Sequence, residues 1–299
     1  MEILLEQLFN GLSLASVLLL IALGLTFTFG QMGVINMAHG ELIMAGAFTP
    51  YVLQTGVGAF AGAAGAAFAV SLPLAFLVAG LMGVAMERLV IRRMYGRPLD
   101  TLLVTFGISL ILQQAGKDLF GAPNVAVRAP SWLRGNVDVA GFTMPYSRLF
   151  IVALAAVVMG LIWVYMAKLP QGRRMRAVMQ NRELAAASGL GTGRVDTLTF
   201  FVGSGLAGVA GVAVTLIGSI GFRIGSSYII DAFLVVIVGG LGKLRGAVLA
   251  ALALGIVSSY SEYATSASLG KAIVFACVVA FLQFRPNGLV SFRTRGLTA

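Results

Sequence analysis

The sequence predicts an all-α polytopic membrane protein, a bundle of transmembrane helices, and two observations lead to this class. Of the 299 residues, 59% are hydrophobic and only 11% are charged, whereas a soluble domain has roughly 25% charged residues. Segments 12–29, 66–85, 151–167 and 200–220 are apolar on all sides, over about the twenty residues that a helix needs to cross the hydrocarbon core. Because lipid satisfies no backbone polar group and barrel strands alternate apolar with polar residues, these segments are predicted to be helices.

Small residues are frequent and indicate close helix packing. The chain has 38 glycines, and in membrane helices small residues let two backbones approach each other closely. The Gly/Ala-rich stretches 56–67 and 203–213 are therefore predicted to be tightly packed interior helices.

The apolar runs predict about nine spans, within a range of eight to ten, and some of these helices are expected to be broken. Of the 21 Lys and Arg residues, 15 fall in loops on one side of the spans. Since Lys and Arg mark the cytoplasmic side, the N-terminus is predicted outside and the C-terminus inside. The nine spans are placed at residues 8–29, 33–54, 62–87, 100–119, 148–167, 197–220, 226–242, 246–261 and 270–284.

The chain is taken as one transmembrane domain, residues 1–299, with two loops long enough to hold structure of their own. Residues 121–147 carry Pro, Gly, Asn and amphipathic aromatic residues, which suits a segment lying at the outer membrane interface. Residues 168–196 carry six basic residues and are assigned to the cytoplasmic side.

The cytoplasmic loop contains a helix-forming stretch, 173–188, which is predicted to end at Gly189. Met175, Val178 and Met179 lie at i, i+3 and i+4 and therefore share one face of this helix. The sequence predicts a short amphipathic helix that exposes its methionines.

Segment 30–46 is the most informative for function, because it places Asn36, His39 and Glu41 between two apolar runs. Polar groups at membrane depth are costly and usually face a cavity or a partner. Asn36, His39 and Gly40 lie at i, i+3 and i+4 and would share a helical face, while the glycines of the segment would permit a broken helix that binds a solute. An equally open alternative is that His39 and Glu41 only hydrogen-bond to neighbouring helices or reach the cytoplasmic interface.

A related pattern recurs later in the chain and suggests an inverted repeat. A shift of 192 residues lays Gly33, Asn36 and His39 on Gly225, Tyr228 and Asp231. Tyr228 and Asp231 are therefore predicted to complete the solute path, although chance is a serious competitor for so short a match.

No catalytic set, metal site or cofactor motif is found in the sequence. It has one His and one Cys, so the usual His/Cys zinc sites cannot form, and it has no P-loop or other recognised catalytic motif. The net charge of +10 arises from loops between apolar spans and not from a nucleic-acid-binding surface. A passive channel and a membrane enzyme using Glu41, Glu87 or Asp231 remain competing functions.

Several stretches resemble the permeases of ATP-binding-cassette (ABC) importers for hydrophobic amino acids and urea, and among them the first urea permease subunit. The resemblance covers nearly the whole chain. It is found in GQMGVINMAHGELIMAGAF (30–48), YGRPLDTLLVTFGISLILQQ (95–114), NVAVRAPSWLRG (124–135), residues 175–212 and residues 225–256. The motif NVAVRAPSW, MPYSRLF (144–150) and Gln180–Arg182 favour urea, whereas the signature NMAHGE is shared with branched-chain amino acid permeases and leaves that solute as the alternative. The sequence GKLRG at 242–246 is more basic than is usual for the family.

The resemblance implies a multi-pass protein of the bacterial inner membrane, surrounded by lipid, that is not itself an enzyme. The partners it implies are a second, homologous permease, two cytoplasmic ATPases that supply the energy, and a periplasmic solute-binding protein. It also implies that segment 173–189 is the coupling helix that docks in an ATPase groove. The residues expected to make this contact are Arg176, Met179, Glu183, Ala185, Ala186 and Gly189.

Overall fold

The computed structural model describes residues 2–60, 62–139 and 142–290. Within these ranges the chain forms eleven α-helices and one antiparallel hairpin of two strands. The helices are α1 (Glu2–Met32), α2 (His39–Gly56), α3 (Ala64–Leu89), α4 (Pro98–Phe120), α5 (Tyr146–Lys168), α6 (Pro170–Gln180), α7 (Arg182–Ala187), α8 (Thr192–Val214), α9 (Ile224–Gly239), α10 (Leu244–Ala264) and α11 (Ala267–Phe284). The strands are β1 (Asn136–Val139) and β2 (Phe142–Pro145), and Asn136 pairs with Pro145.

The helices confirm the prediction of an all-α polytopic membrane protein. Among the described residues, seven helices are long and apolar enough to cross a membrane: α1, α3, α4, α5, α8, α10 and α11. Each of the nine predicted spans coincides with a helix, but α9 has only 16 residues, and the 18 residues of α2, which include His39 and Glu41, are not apolar enough to count among the seven. The count of nine spans and the orientation of the termini therefore stay predictions. The C-terminal residues Arg293 and Arg295 lie outside the described part of the chain.

The centre of the bundle is built from α1 and α8, which are the most buried of the seven long helices. They approach each other at small residues, and a Cβ atom on Gly203 would lie only 2.8 Å from the carbonyl oxygen of Gly24. The predicted interior helix at 203–213 is confirmed, since these residues are buried in α8. The prediction for 56–67 is wrong at its start: residues Gly58–Phe60 form a short 3-10 turn with no buried residue, and Gly58 and Gly62 have no neighbouring atom where a Cβ would lie.

Two helices, α2 and α9, start after a short non-helical segment of the chain. Residues 33–38 are not helical and separate α1 from α2. Gly33 turns the chain there with a φ of +64°, a value that glycine adopts far more readily than other residues. Residues 215–223 similarly separate α8 from α9.

The two halves of the bundle are packed in the same way. Helix α3 packs along α8 and α10 packs along α1, while α2 and α9 contact each other. At this last contact a Cβ atom on Gly40 would lie 2.7 Å from the carbonyl oxygen of Gly225. The register of 192 residues does not match these helices: α2 starts at His39 and α9 at Ile224, which are 185 positions apart, and Gly33 lies in the break before α2 whereas Gly225 lies inside α9.

The loop 121–147 folds against the ends of several helices instead of lying free. Gln54 and Arg128 exchange two hydrogen bonds of 3.0 Å, which join the loop to the end of α2. The Trp132 ring makes an edge contact with Phe150 at 5.5 Å between ring centres. The loop thereby connects the end of α2 with the start of α5.

Candidate solute path and coupling segment

The break between α1 and α2 is held in place by a threonine of α4. The Thr105 hydroxyl accepts the Met37 backbone N–H at 3.1 Å and lies 3.3 Å from the Ile35 carbonyl. The Asn36 side-chain oxygen accepts the Ala38 N–H at 3.1 Å. These bonds satisfy part of the backbone that the break leaves without helical partners.

Three polar side chains at this break are almost completely removed from solvent: Asn36, His39 and Glu41 have exposed fractions of 0%, 0% and 1%. The His39 ring packs against α1, where its Nε2 lies 3.3 Å from the Ile21 carbonyl oxygen. Gly24 makes room for this ring, since a Cβ atom there would lie 2.7 Å from the His39 Cε1. The glycine on α1 is thus what allows an imidazole at the start of α2.

Glu41 joins three helices through one of its two carboxylate oxygens. Its Oε1 accepts hydrogen bonds from Ser109 and Gln113 of α4, each at 3.0 Å. The Gln113 amide also donates to the Ser226 hydroxyl of α9 at 3.0 Å. The contribution of α9 to this cluster therefore comes from Ser226, which the sequence analysis did not single out.

Each of the three buried side chains keeps one atom without a hydrogen-bond partner among the described residues: Asn36 Nδ2, His39 Nδ1 and Glu41 Oε2. Leaving a buried polar group unpaired costs about 1–3 kcal/mol. The three unpaired atoms are a donor, an acceptor and a ring nitrogen of either kind, and all belong to residues 36–41 at the break before α2.

The structure changes the predicted arrangement of this site in two ways. Asn36 precedes the first residue of α2, so it does not share a helical face with His39 and Gly40, and Gly40 is used for packing against α9. No hydrogen bond among the described residues joins Tyr228 or Asp231 to the three buried side chains. Asp231 instead lies 3.9 Å from the Lys271 ammonium group of α11.

The predicted coupling helix 173–188 is two helices, α6 and α7, and not one. The chain leaves helical geometry at Asn181, whose φ is −156°, and its side chain caps α7 by accepting the Leu184 N–H at 2.9 Å. Gly189 ends the segment with a φ of +81°. The break reflects the tendency of asparagine to bond to nearby backbone groups, which favours a cap over a helix interior.

The prediction of exposed methionines is wrong, because the apolar face of α6 turns toward the bundle. Met175 and Val178 are each 2% exposed, and Met179 is partly buried. Ala185 is also buried, at 5%. The exposed residues of the predicted coupling set are Arg176, Glu183, Ala186 and Gly189.

Beside these residues α7 exposes Leu184, a large apolar side chain with an exposed fraction of 64%. In the predicted coupling segment, α7 is therefore the helix that faces away from the bundle, and the basic residues of α6 flank it.

A buried ion pair anchors α7 to the bundle. Arg182 donates to both carboxylate oxygens of Asp196, at 3.0 and 2.6 Å, and Asp196 is 0% exposed. Gln31, at the end of α1, donates to the same carboxylate at 3.1 Å and accepts from Thr199 of α8. The hydrogen bond from Arg182 to Asp196 raises the pKa of Arg182, so this guanidinium stays protonated at any physiological pH.

A second buried carboxylate, Glu87 at the end of α3, lies in the same region. It accepts hydrogen bonds from Tyr95 and Thr197, each at 2.9 Å, and lies 3.3 Å from the Arg92 guanidinium. The Arg182 guanidinium lies 5.2 Å from the centre of the Tyr95 ring. Burial and the nearby charges of Asp196 and Glu87 raise the pKa of Tyr95, so its hydroxyl stays protonated and can donate to Glu87.

Together these helices and polar clusters define a multi-pass membrane protein with a broken helix pair at its centre and a short two-helix segment attached by an ion pair. Residues 7–282 match the sequence model of the family described as "Branched-chain amino acid transport system / permease component", and the chain belongs to this family.

Curated relatives match along almost their entire length. A "High-affinity branched-chain amino acid transport system permease protein", BraD of Pseudomonas aeruginosa, is 30% identical over 298 residues, which cover 96% of this chain and 95% of the relative. The permease of the same description from Escherichia coli, LivH, is 30% identical over 294 residues, with the same coverage. A "Probable branched-chain amino acid transport permease protein LivH" of Methanocaldococcus jannaschii is 28% identical and covers 92% of this chain and 89% of its own length.

Proposed function

We propose that this protein is the membrane-spanning permease subunit of an ATP-driven importer of branched-chain or related hydrophobic amino acids in a bacterial inner membrane. Support comes from the family match over residues 7–282 and from two curated relatives that are 30% identical and carry this description. No comparison supports urea, so the amino-acid alternative of the sequence analysis replaces urea as the preferred solute.

The observation that supports this function best is the exposed surface of α7 and its anchor. Leu184 and Ala186 are exposed on a short helix, and Gly189 follows it at an exposed turn. An apolar side chain beside small residues suits insertion into a groove of another protein. We assign this surface to an ATPase subunit, in an assembly with a second permease, a second ATPase and an outer solute-binding protein.

The anchor offers a route from this docking surface to the middle of the bundle. Arg182 follows the break at Asn181 and is bound to Asp196 at the start of α8, which is in turn bound to Gln31 at the end of α1. Helix α1 leads directly into the break before α2, and α8 packs along α2. When an ATPase displaces α7, these bonds therefore transmit the movement to the helices that surround Asn36, His39 and Glu41.

The proposed solute path runs past the unpaired atoms of Asn36, His39 and Glu41. The carboxylate oxygen of Glu41 that lacks a partner suits an ammonium group, and the Asn36 amide suits a carboxylate. Gly40 allows α2 and α9 to approach each other, and Tyr228 and Asp231 stay proposed path residues further along α9.

Uptake into proteoliposomes tests the function directly. The permease is reconstituted with its partner permease, ATPases and binding protein, and radiolabelled leucine and urea are supplied in separate trials with and without ATP inside. We expect leucine uptake that requires ATP and the ATPases. Uptake of urea alone would overturn the amino-acid assignment, and leucine uptake that is independent of ATP would indicate a passive channel.

A further inference from the structure

A cavity of about 280 Å³ opens far from the α2 cluster, between the starts of α1 and α5 and the end of α10. All of these helix ends lie on the side that the distribution of Lys and Arg assigns to the outside. The polar residues that line the cavity are Gln7, Asn10, Ser13, Arg148, Ser259, Glu262 and Tyr263.

The positively charged group of the cavity is Arg148, and its one hydrogen-bond partner in the described part of the chain is a neutral side chain. Arg148, in the first turn of α5, donates from its Nη1 to the side-chain oxygen of Asn10 on α1. A guanidinium has five N–H donors, and among the side chains that the structure describes no carboxylate lies within 4.0 Å of Arg148. The bond to Asn10 therefore orients Arg148 but leaves its charge uncompensated by the described protein.

The negative group is Glu262, in the last turn of α10. Its carboxylate has no hydrogen bond or ion pair with any described residue. The stem of its side chain packs against α11, where a Cβ atom on Gly270 would lie 2.7 Å from the Glu262 Cγ. Arg148 and Glu262 thus line one cavity with opposite charges and do not form an ion pair with each other.

The remaining walls complete a site with two chemical halves. Ser13 is buried at 3% and Ser259 at 8%, and Ser259 binds Gln7 at 2.9 Å. Leu14 and Ile217 supply an apolar wall in the same cavity. The site therefore offers a cation, an anion and an apolar surface, which match the carboxylate, the ammonium and the side chain of a hydrophobic α-amino acid.

We infer that this cavity is an outer binding site for a zwitterionic α-amino acid, whose carboxylate binds Arg148 and whose ammonium binds Glu262. The inference rests on the proposed function, since it specifies where such a solute is held before it reaches the α2 break. Urea has no charge and would leave both Arg148 and Glu262 without a counter-ion, so this site also distinguishes the two solutes.

Binding of radiolabelled leucine to the permease–ATPase complex in nanodiscs, without the binding protein, tests the site. Two competitors each lack one charge: 4-methylpentanoate has no ammonium and 3-methylbutylamine has no carboxylate. Arg148→Gln and Glu262→Gln should each weaken leucine binding about tenfold or more, because each removes a hydrogen bond to a charged group. In Glu262→Gln the advantage of leucine over 4-methylpentanoate should shrink, and in Arg148→Gln its advantage over 3-methylbutylamine should shrink.

Controls separate this inference from the proposed function. Arg148→Lys keeps the charge and should retain most of the binding, and Arg134→Gln, an outer-loop arginine that does not line the cavity, should bind leucine normally. Size-exclusion chromatography checks that each complex is assembled. If the unaltered complex imports leucine with ATP but does not bind it directly, or if Arg148→Gln and Glu262→Gln bind it normally, the cavity site is overturned and the proposed function stands. If the unaltered complex imports no leucine at all, the proposed function fails.

A further outcome would assign the two charges to another role. If the variants bind leucine normally but no longer bind the solute-binding protein in a surface plasmon resonance assay, Arg148 and Glu262 belong to a protein interface, and the amino-acid site is overturned.

Discussion

Arg182 and Asp196 form an ion pair joined by two hydrogen bonds, 3.0 and 2.6 Å long, in which the carboxylate is fully buried and the arginine side chain is 42% exposed. The two partners therefore differ in their access to water. The Arg182 guanidinium can be hydrated when Asp196 is replaced, but the buried Asp196 carboxylate cannot be hydrated when Arg182 is replaced. This inequality makes the pair a test of how α7 is fixed to the bundle.

We expect Arg182→Gln to destabilise the complex more than Asp196→Asn. The first change leaves a buried carboxylate without a counter-charge, which costs about 3–5 kcal/mol, whereas the second leaves an arginine that can be hydrated. The thermal unfolding of the purified complex in detergent measures the difference. The exposed pair Arg97 and Asp100, separated by 3.9 Å with exposed fractions of 75% and 53%, provides the control, and Arg97→Gln should have almost no effect. Equal destabilisation by Arg182→Gln and Asp196→Asn would contradict the expected inequality.

Coupling is tested at the exposed side of α7. Ala186→Glu places a charge on an exposed helical position, so the permease should still insert and assemble with its partner permease. If α7 docks in an ATPase groove, however, this charge should abolish co-purification of the ATPases and reduce uptake about tenfold or more.

Gly189 offers a matched pair of variants for the same surface. Gly189→Asn should keep coupling, since asparagine tolerates the φ of +81°, whereas Gly189→Glu should weaken it through both strain and charge. Normal uptake by Ala186→Glu would mean that α7 does not contact an ATPase.

The topology is tested with reporters. A reporter fused after Ala299 should behave as cytoplasmic, and one inserted near Gly135 should behave as external, because 15 of the 21 Lys and Arg residues lie on one side of the predicted spans. Alkaline phosphatase and green fluorescent protein fusions report the two sides. Finding both positions on the same side would break the predicted arrangement of the spans and with it the outer placement of the Arg148 cavity.

The positions of the long helices could be predicted from the sequence, but the directions of their side chains could not. Apolar runs locate each helix because lipid requires both length and hydrophobicity. The amphipathic pattern at Met175 and Val178 correctly indicated a short helix, yet the pattern alone cannot say whether its apolar face meets a partner protein or the bundle itself. The structure places both residues inside the bundle.

Contacts between residues on different helices could not be predicted from the sequence either, because they depend on how the helices pack. Arg148 and Asn10 lie on different helices, 138 positions apart, and only the packing of α5 against α1 brings them together. Arg182 and Asp196 are 14 positions apart. Because they lie on two helices joined by a turn at Gly189, no helical spacing predicts that they pair. The spacing of Asn36, His39 and Gly40 predicted a shared helical face, whereas the Asn36 side chain binds the Ala38 N–H and helps to form the break.

The solute path is tested most sharply at Glu41, because its two carboxylate oxygens have different environments. Oε1 accepts hydrogen bonds from Ser109 and Gln113, whereas Oε2 has no partner among the described residues. Glu41→Gln keeps an oxygen for Ser109 and Gln113 and replaces only the unpaired acceptor with an amide donor. Packing should therefore be retained, and the amount of assembled complex should not change.

If Oε2 binds the moving solute, Glu41→Gln should reduce ATP-dependent leucine uptake about tenfold or more, because a charge-assisted hydrogen bond is lost. Asn36→Leu and His39→Leu should also reduce uptake, but each removes a bond seen in the structure, to the Ala38 N–H and to the Ile21 carbonyl respectively, so some loss of assembly is expected with them. Ser109→Ala serves as the matched control, since it removes a bond to Oε1 and leaves Oε2 unchanged. Loss of assembly in Glu41→Gln would indicate that the cluster only holds α2, α4 and α9 together. Normal uptake in Glu41→Gln, Asn36→Leu and His39→Leu would exclude the path, because a solute passing the α2 break must meet at least one of these three buried groups.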